Sequence, residues 1–151
     1  MSENNTLNEF FTGWFGSLEK GLEKLNEQEC ACLFSECAKT CSWYVVNYMY
    51  RKLFDQCGGN PDQFFQRLHE IDNVEGKVIE TGRVYEIIFK KCECPVHTEA
   101  NIRSPRLCAC SKESMICVFQ DLIPGRKFRL EQISTILAGA EVCRHRITFD
   151  C

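Results

Sequence analysis

The hydrophobic period of this chain first changes at Gly76, and that change does most to restrict its fold. Up to residue 72 apolar side chains recur every three or four positions; at Gly76 they begin to alternate. The first period belongs to helices and the second to half-buried strands. Leu7, Phe10, Phe11, Trp14, Phe15, Leu18, Leu22 and Leu25 share one helical face, opposite Glu9, Glu19, Lys20, Glu23 and Lys24. Cys30, Leu33, Phe34, Cys37, Cys41, Tyr44, Val45, Tyr48 and Met49 stripe a second helix, from about Gln28 to Gln56, which stops at "CGGNP". Asn60, Pro61 and Gln63 then stand as N-cap, N1 and N3 of a third, burying Phe64, Phe65, Leu68 and Ile71.

Beyond Gly76, "KVIETGRVYEIIF" predicts a hairpin turning at Thr81-Gly82. Pro95–Arg106 reads as a loop. Ser111 reads as the cap of a helix carrying Met115, Val118, Phe119 and Leu122. "KFRLEQIS" and "EVCRHRITF" predict a second hairpin turning near Ala138-Gly139, with Cys143, His145, Ile147 and Phe149 on one face of the last strand. The expected fold class is α+β: N-terminal helices packed on an antiparallel sheet of two hairpins, with one helix between the hairpins. A chain of 151 residues without a long linker makes one domain over 1–151, helical over 1–72 and mixed sheet and helix over 76–151.

Charge narrows the classes of function. The net charge of −3 argues against general affinity for nucleic acid. It is unevenly spread: eight Lys/Arg against five Asp/Glu leave +3 over residues 101–151 and −6 over residues 1–100. No apolar run approaches the ~18 residues of a membrane span. The polar face of the first helix is not basic, which argues against a membrane-surface role. "MSENNTLNEF" lacks the basic and apolar regions of a signal peptide, so the expected location is cytoplasmic, with thiols reduced.

Twelve cysteines are the unusual number. Cys92/Cys94 and Cys108/Cys110 form two Cys-x-Cys pairs around His97. On a strand, positions i and i+2 share a face, so both sulfurs of a pair can reach one centre. Cys108 and Cys110 stand before an expected helix start, where the dipole favours thiolate. Thiolates are ligands that zinc prefers. Three readings stay open: a metal site, nucleophilic or redox thiols, and buried structural thiols. The expectation is that Cys92, Cys94, Cys108 and Cys110 gather in one cluster, with Cys143 and either Cys37 or Cys41 close by, and with zinc as the candidate cofactor. Cys30, Cys37 and Cys41 share a helix face, as a small-residue seam or as further ligands. Cys32 lies off that stripe, and Cys57, Cys117 and Cys151 have no partner pattern. The three histidines, His69, His97 and His145, show no pairing that marks a catalyst; His145 alternates inward with Ile147.

"CECP", "SPRLCACS" and "FRLEQISTILAGAEVCRHRITF" together resemble the closing part of 4-vinyl-reductase-type domains and of related cysteine-rich, aminothiazoline carboxylate hydrolase-like bacterial proteins. The matching positions are Glu131, Ser134, Gly139, Cys143, His145 and Ile147, and the likeness covers roughly residues 76–150. It implies an α+β fold like that of trafficking-complex subunits and phenol-sensor domains, often dimeric. In the sensors it implies an enclosed small apolar ligand near a zinc held by cysteines and a glutamate around the final hairpin. Cys143 matches the last of those cysteines, and Cys108 or Cys110 corresponds to the ligand before the helix. The other hairpin ligands fall near Gln132 and Thr135, which are poor zinc ligands, so the family's site is not carried over intact.

The leading expectation is a small-molecule-binding sensor or carrier domain, with Trp43, Tyr44, Tyr48, Tyr85 and Phe119 around the pocket. Its expected partners are a small apolar molecule and a second copy of the chain, with neither nucleic acid nor membrane. A cysteine-dependent hydrolase or thiol-redox enzyme built on Cys108 or Cys110 is the alternative from another class. A dimeric interaction subunit is the third.

Overall fold

Four antiparallel strands form the sheet of the computed structural model, which describes residues 3–151. They are β1 (Val74–Glu80), β2 (Val84–Phe89), β3 (Phe128–Ser134) and β4 (Cys143–Phe149). Their order across the sheet is β1-β2-β4-β3, so the two hairpins meet through their second strands. In that central pairing Tyr85 faces Ile147 and Ile87 faces His145. Gly82, at φ +74°, turns the first hairpin where a side chain would be strained.

The helices are α1 (Glu3–Leu22), α2 (Glu27–Val45), α3 (Arg51–Gln56), α4 (Pro61–Arg67), the short α5 (Pro95–Thr98) and α6 (Cys108–Leu122). Asn26 starts α2 with a reciprocal capping box to Glu29. Asn60 caps α4 by accepting from the Gln63 N–H at 3.1 Å. What the sequence reads as one helix to Gln56 is α2 and α3 joined through a π-helical turn, Val46–Tyr50. The helix expected to begin at Ser111 begins at Cys108, because a 3₁₀ turn over Pro105–Leu107, capped by Ser104, leads straight into it. The expected loop 95–106 contains α5.

Helices and sheet enclose one main core. Phe65 stacks on Tyr85 at 4.4 Å and on Phe119 at 5.6 Å between ring centroids, tying α4, β2 and α6 together. Gly76 lets β1 pass directly beneath α4, since a β-carbon there would collide with the Phe65 carbonyl. On the sheet's opposite face the buried Glu86 carboxylate accepts from Arg144 at 3.1 Å and from Arg146 at 2.7 Å.

The first helix departs from its expected role. Only its C-terminal end is docked, with Leu22 1% exposed in a satellite core with Ile102 and Leu107. Leu7, Phe10, Phe11 and Trp14, which the sequence places on the apolar face of this helix, are exposed.

Candidate functional site

An apolar cavity of about 310 Å³ opens between α2, α6 and the ends of β2 and β3. Its helical wall follows from spacing: Cys41, Val45 and Met49 succeed one another at four-residue steps on α2 and the π-helical turn, with Tyr50 beside them. From α6 come Cys108, Cys110, Ser111, Ser114 and Met115. The sheet side adds Val74, Phe89, Gln132 and Cys143.

The chain leaving β2 roofs the cavity, and Asn73 holds it there. The Asn73 backbone is left-handed, at φ +65°, a conformation that asparagine tolerates better than most residues. Its side-chain amide donates to the Lys91 carbonyl at 2.9 Å and accepts from the Lys91 N–H at 2.7 Å. That clamp directs Cys92 and Cys94 onto the cavity. Cys94 then caps α5, its carbonyl accepting from the His97 and Thr98 N–H groups at 2.9 Å. The His97 ring Nδ1 lies 2.8 Å from the Ile102 carbonyl, and the Glu19 carboxylate accepts from the Arg103 and Ser104 N–H groups at 2.6 and 2.7 Å.

Six cysteines therefore line one cavity: Cys41, Cys92, Cys94, Cys108, Cys110 and Cys143. Cys92 and Cys94 follow the end of β2, and Cys108 and Cys110 lie in the first turn of α6, so neither pair occupies strand positions that share a face. Among the described residues no group of three or more His, Cys, Asp or Glu side chains is placed to close around a metal ion. The donors have the chemistry that zinc needs, but their arrangement does not supply a coordination shell.

The α2 seam also differs from expectation. Cys30, Ala38 and Ser42 are its buried residues, while Cys37 and Cys41 are exposed. Small side chains let α2 lie close to α6, and Cys41 is left at the edge of that contact, on the cavity.

Electrostatics separates these thiols. Burial pushes Cys108 up to about 11, although the Thr135 hydroxyl opposes this. Burial also raises Cys94 and Cys143, the latter against the Ile136 N–H, which donates to its sulfur at 3.3 Å. The neighbouring Cys110 thiol, across α2 and α6, lowers Cys41, and the Cys41 thiol in turn raises Cys110. The expectation that a helix start makes Cys108 or Cys110 the most acidic thiol is thus reversed: desolvation outweighs the dipole at Cys108, and the shared proton stays on Cys110.

Behind the cavity the Gln132 amide donates to the Cys108 carbonyl at 3.0 Å and bonds the His145 ring at Nε2 at 3.1 Å. His145 is fully buried, and its Nδ1 has no hydrogen-bond partner. Burial, with the Lys112 charge, holds its pKa down at about 4.

None of the five aromatics expected around a pocket lines this cavity. Trp43, Tyr44 and Tyr48 are exposed, Tyr48 at 73%, and pack on one another at 5.1–6.0 Å between ring centroids. Trp43 lies about 200° around α2 from Cys41 and so points away from the cavity. Tyr85 and Phe119 fill the main core. The wall residues missed include Val45, Met49, Tyr50, Val74, Phe89 and Met115, and only the four-residue step from Cys41 to Met49 was visible in sequence. A second, more polar hollow of about 390 Å³ lies between Glu23, Glu27, Arg106, Lys112 and Glu113. It shares Gln132 with the first but holds none of the clustered thiols.

No protein-family model and no curated protein matches the chain. Among solved structures it is similar to a trafficking protein particle complex subunit 3 from Naegleria fowleri covalently bound to palmitic acid. That likeness has 10% identity, covers 97% of each chain and has a TM-score of 0.46. It is also similar to an H-NOX protein from S. oneidensis in the Fe(II)NO ligation state, at 12% identity over 91% of this chain and 72% of that one, with a TM-score of 0.46. Neither likeness assigns a ligand or a residue role to this chain. The 4-vinyl-reductase resemblance has no matching family or curated sequence behind it.

Proposed function

We propose that this chain is a small-molecule-binding domain and that the thiol-lined cavity is its site. The observation that carries the reading is the cavity itself: about 310 Å³, walled by Val45, Met49, Tyr50, Val74, Phe89 and Met115, with six sulfhydryls facing the same space. Its volume falls at the small end of ligand sites. Such a wall suits a small, largely apolar molecule, because a charge placed against it loses hydration; Lys91 and Glu93 are the charged residues of the lining.

Thermal-shift screening with phenols and other small apolar compounds tests this. A binder present at 100 times its dissociation constant adds about 2.7 kcal/mol of stability. Filling the cavity with Met115→Trp abolishes the shift if the site is right. Absence of any stabilising compound, or an unchanged shift in the filled variant, removes the proposal.

Two further parts of the reading rest on separate observations. The six converging thiols favour zinc as a ligand that reorganises them on binding, although the side chains as placed do not enclose an ion. Elemental analysis of protein purified without added metal decides this: zinc well below one equivalent ends it. The exposed apolar face of α1, from Leu7 to Trp14, favours assembly as a homodimer. Burial of Cys108, which pushes its thiol up, counts against a cysteine hydrolase built on that residue.

A further inference from the structure

We propose that the second hollow, beside the start of α6, binds a zwitterionic small molecule of the free amino-acid class. Five charged side chains line it: Glu23, Glu27, Arg106, Lys112 and Glu113. Among the described residues none of these five forms an ion pair, although both signs face one space. Glu23 alone has a side-chain hydrogen-bond partner among the described residues, the Ser104 hydroxyl. Arg106, Lys112 and Glu113 are half-buried, so their charges have lost part of their hydration without gaining a counter-charge in contact. With Glu23 engaged, two cations and two carboxylates remain, and their charges cancel.

A ligand that is neutral overall but carries both signs satisfies all four groups. Its carboxylate accepts from the Arg106 guanidinium and the Lys112 ammonium, and its own ammonium donates to Glu27 and Glu113. A plain anion leaves the two carboxylates unmatched, and a plain cation leaves Arg106 and Lys112 unmatched. Between the charges the wall is small and apolar, made by Cys30, Ala31, Pro105 and Ala109, and it suits an uncharged side chain. The volume of about 390 Å³ falls within the range of small-molecule sites. This hollow shares only Gln132 with the thiol-lined cavity, so the proposal does not rest on the function argued above.

The test is isothermal titration calorimetry of the full chain with each free L-amino acid that has an uncharged side chain. At least one binds saturably. Acetylating the amino group of that amino acid, or converting its carboxylate to the amide, weakens binding about tenfold or more. These comparisons use the unaltered chain, so folding of a variant is not at issue. Arg106→Gln and Glu113→Gln each weaken binding of the unmodified amino acid about tenfold with the circular dichroism spectrum unchanged. No saturable binding by any of these amino acids overturns the proposal. So does an acetylated or amidated derivative that binds as well as its parent, or acetate or butylamine that binds as tightly as the amino acid. Phenols that fail to stabilise the chain while an amino acid binds remove only the function proposed above.

Discussion

His145 shows how far one buried side chain can set the response to pH. Its ring nitrogen Nε2 accepts from Gln132, so the proton sits on Nδ1, which has no partner. Below pH 6.5 the unfolded chain protonates at this ring, while the folded chain resists down to about pH 4. Unfolding therefore takes up a proton in that window, and stability falls as pH drops from 6.5 towards 4, then levels. The ring accounts for at most about 3 kcal/mol of that fall. Replacing it by glutamine flattens the difference between urea unfolding curves at pH 7.5 and 4.5; an unchanged difference shows that other groups carry it. Gly76 is equally local in its demand. Alanine there pushes a methyl group into the Phe65 carbonyl, and Gly76→Ala costs roughly 3 kcal/mol in chemical denaturation. A loss under 1 kcal/mol means that β1 and α4 separate more readily than this contact implies.

At the scale of elements, the docked end of α1 holds the segment leading to the cavity. The Glu19 carboxylate takes the N–H groups of Arg103 and Ser104, just ahead of the turn that launches α6. Two backbone donors without that acceptor cost on the order of 2 kcal/mol. In Glu19→Ala the amides of residues 103 and 104 exchange hydrogen faster, while those of β2 and β4 stay protected. Equal exchange in both proteins shows that water replaces the carboxylate without loosening the segment. The π-helical turn between α2 and α3 belongs to the same scale. It carries Met49 and Tyr50, both of which line the cavity.

For the whole molecule the open question is what meets the free half of α1. Leu7, Phe10, Phe11 and Trp14 form a run of exposed large apolar side chains, which in water favours association. Sedimentation velocity at tens of micromolar gives a dimer. The doubly substituted Phe10→Glu, Trp14→Glu chain sediments as a monomer with its melting temperature little changed, since neither side chain supports the core. A monomeric parent protein ends the dimer reading. Among the described residues no helix is long and apolar enough to cross a membrane.

The nature of each element was legible in the sequence because period, caps and turns are local. The 3.6-residue stripes, Asn60 before Pro61, and the glycine turn at Gly82 require no knowledge of distant residues. The change of period at Gly76 sufficed for an α+β fold with two hairpins. Tertiary structure decided the rest. The joining of β2 to β4, the undocked start of α1 and the rotation of α2 that exposes Trp43 depend on which surfaces bury most together. The acidities of the thiols were likewise not legible in the sequence. Those follow from desolvation at Cys108 and from the meeting of Cys41 with Cys110, residues distant in sequence that contact only once α2 lies on α6.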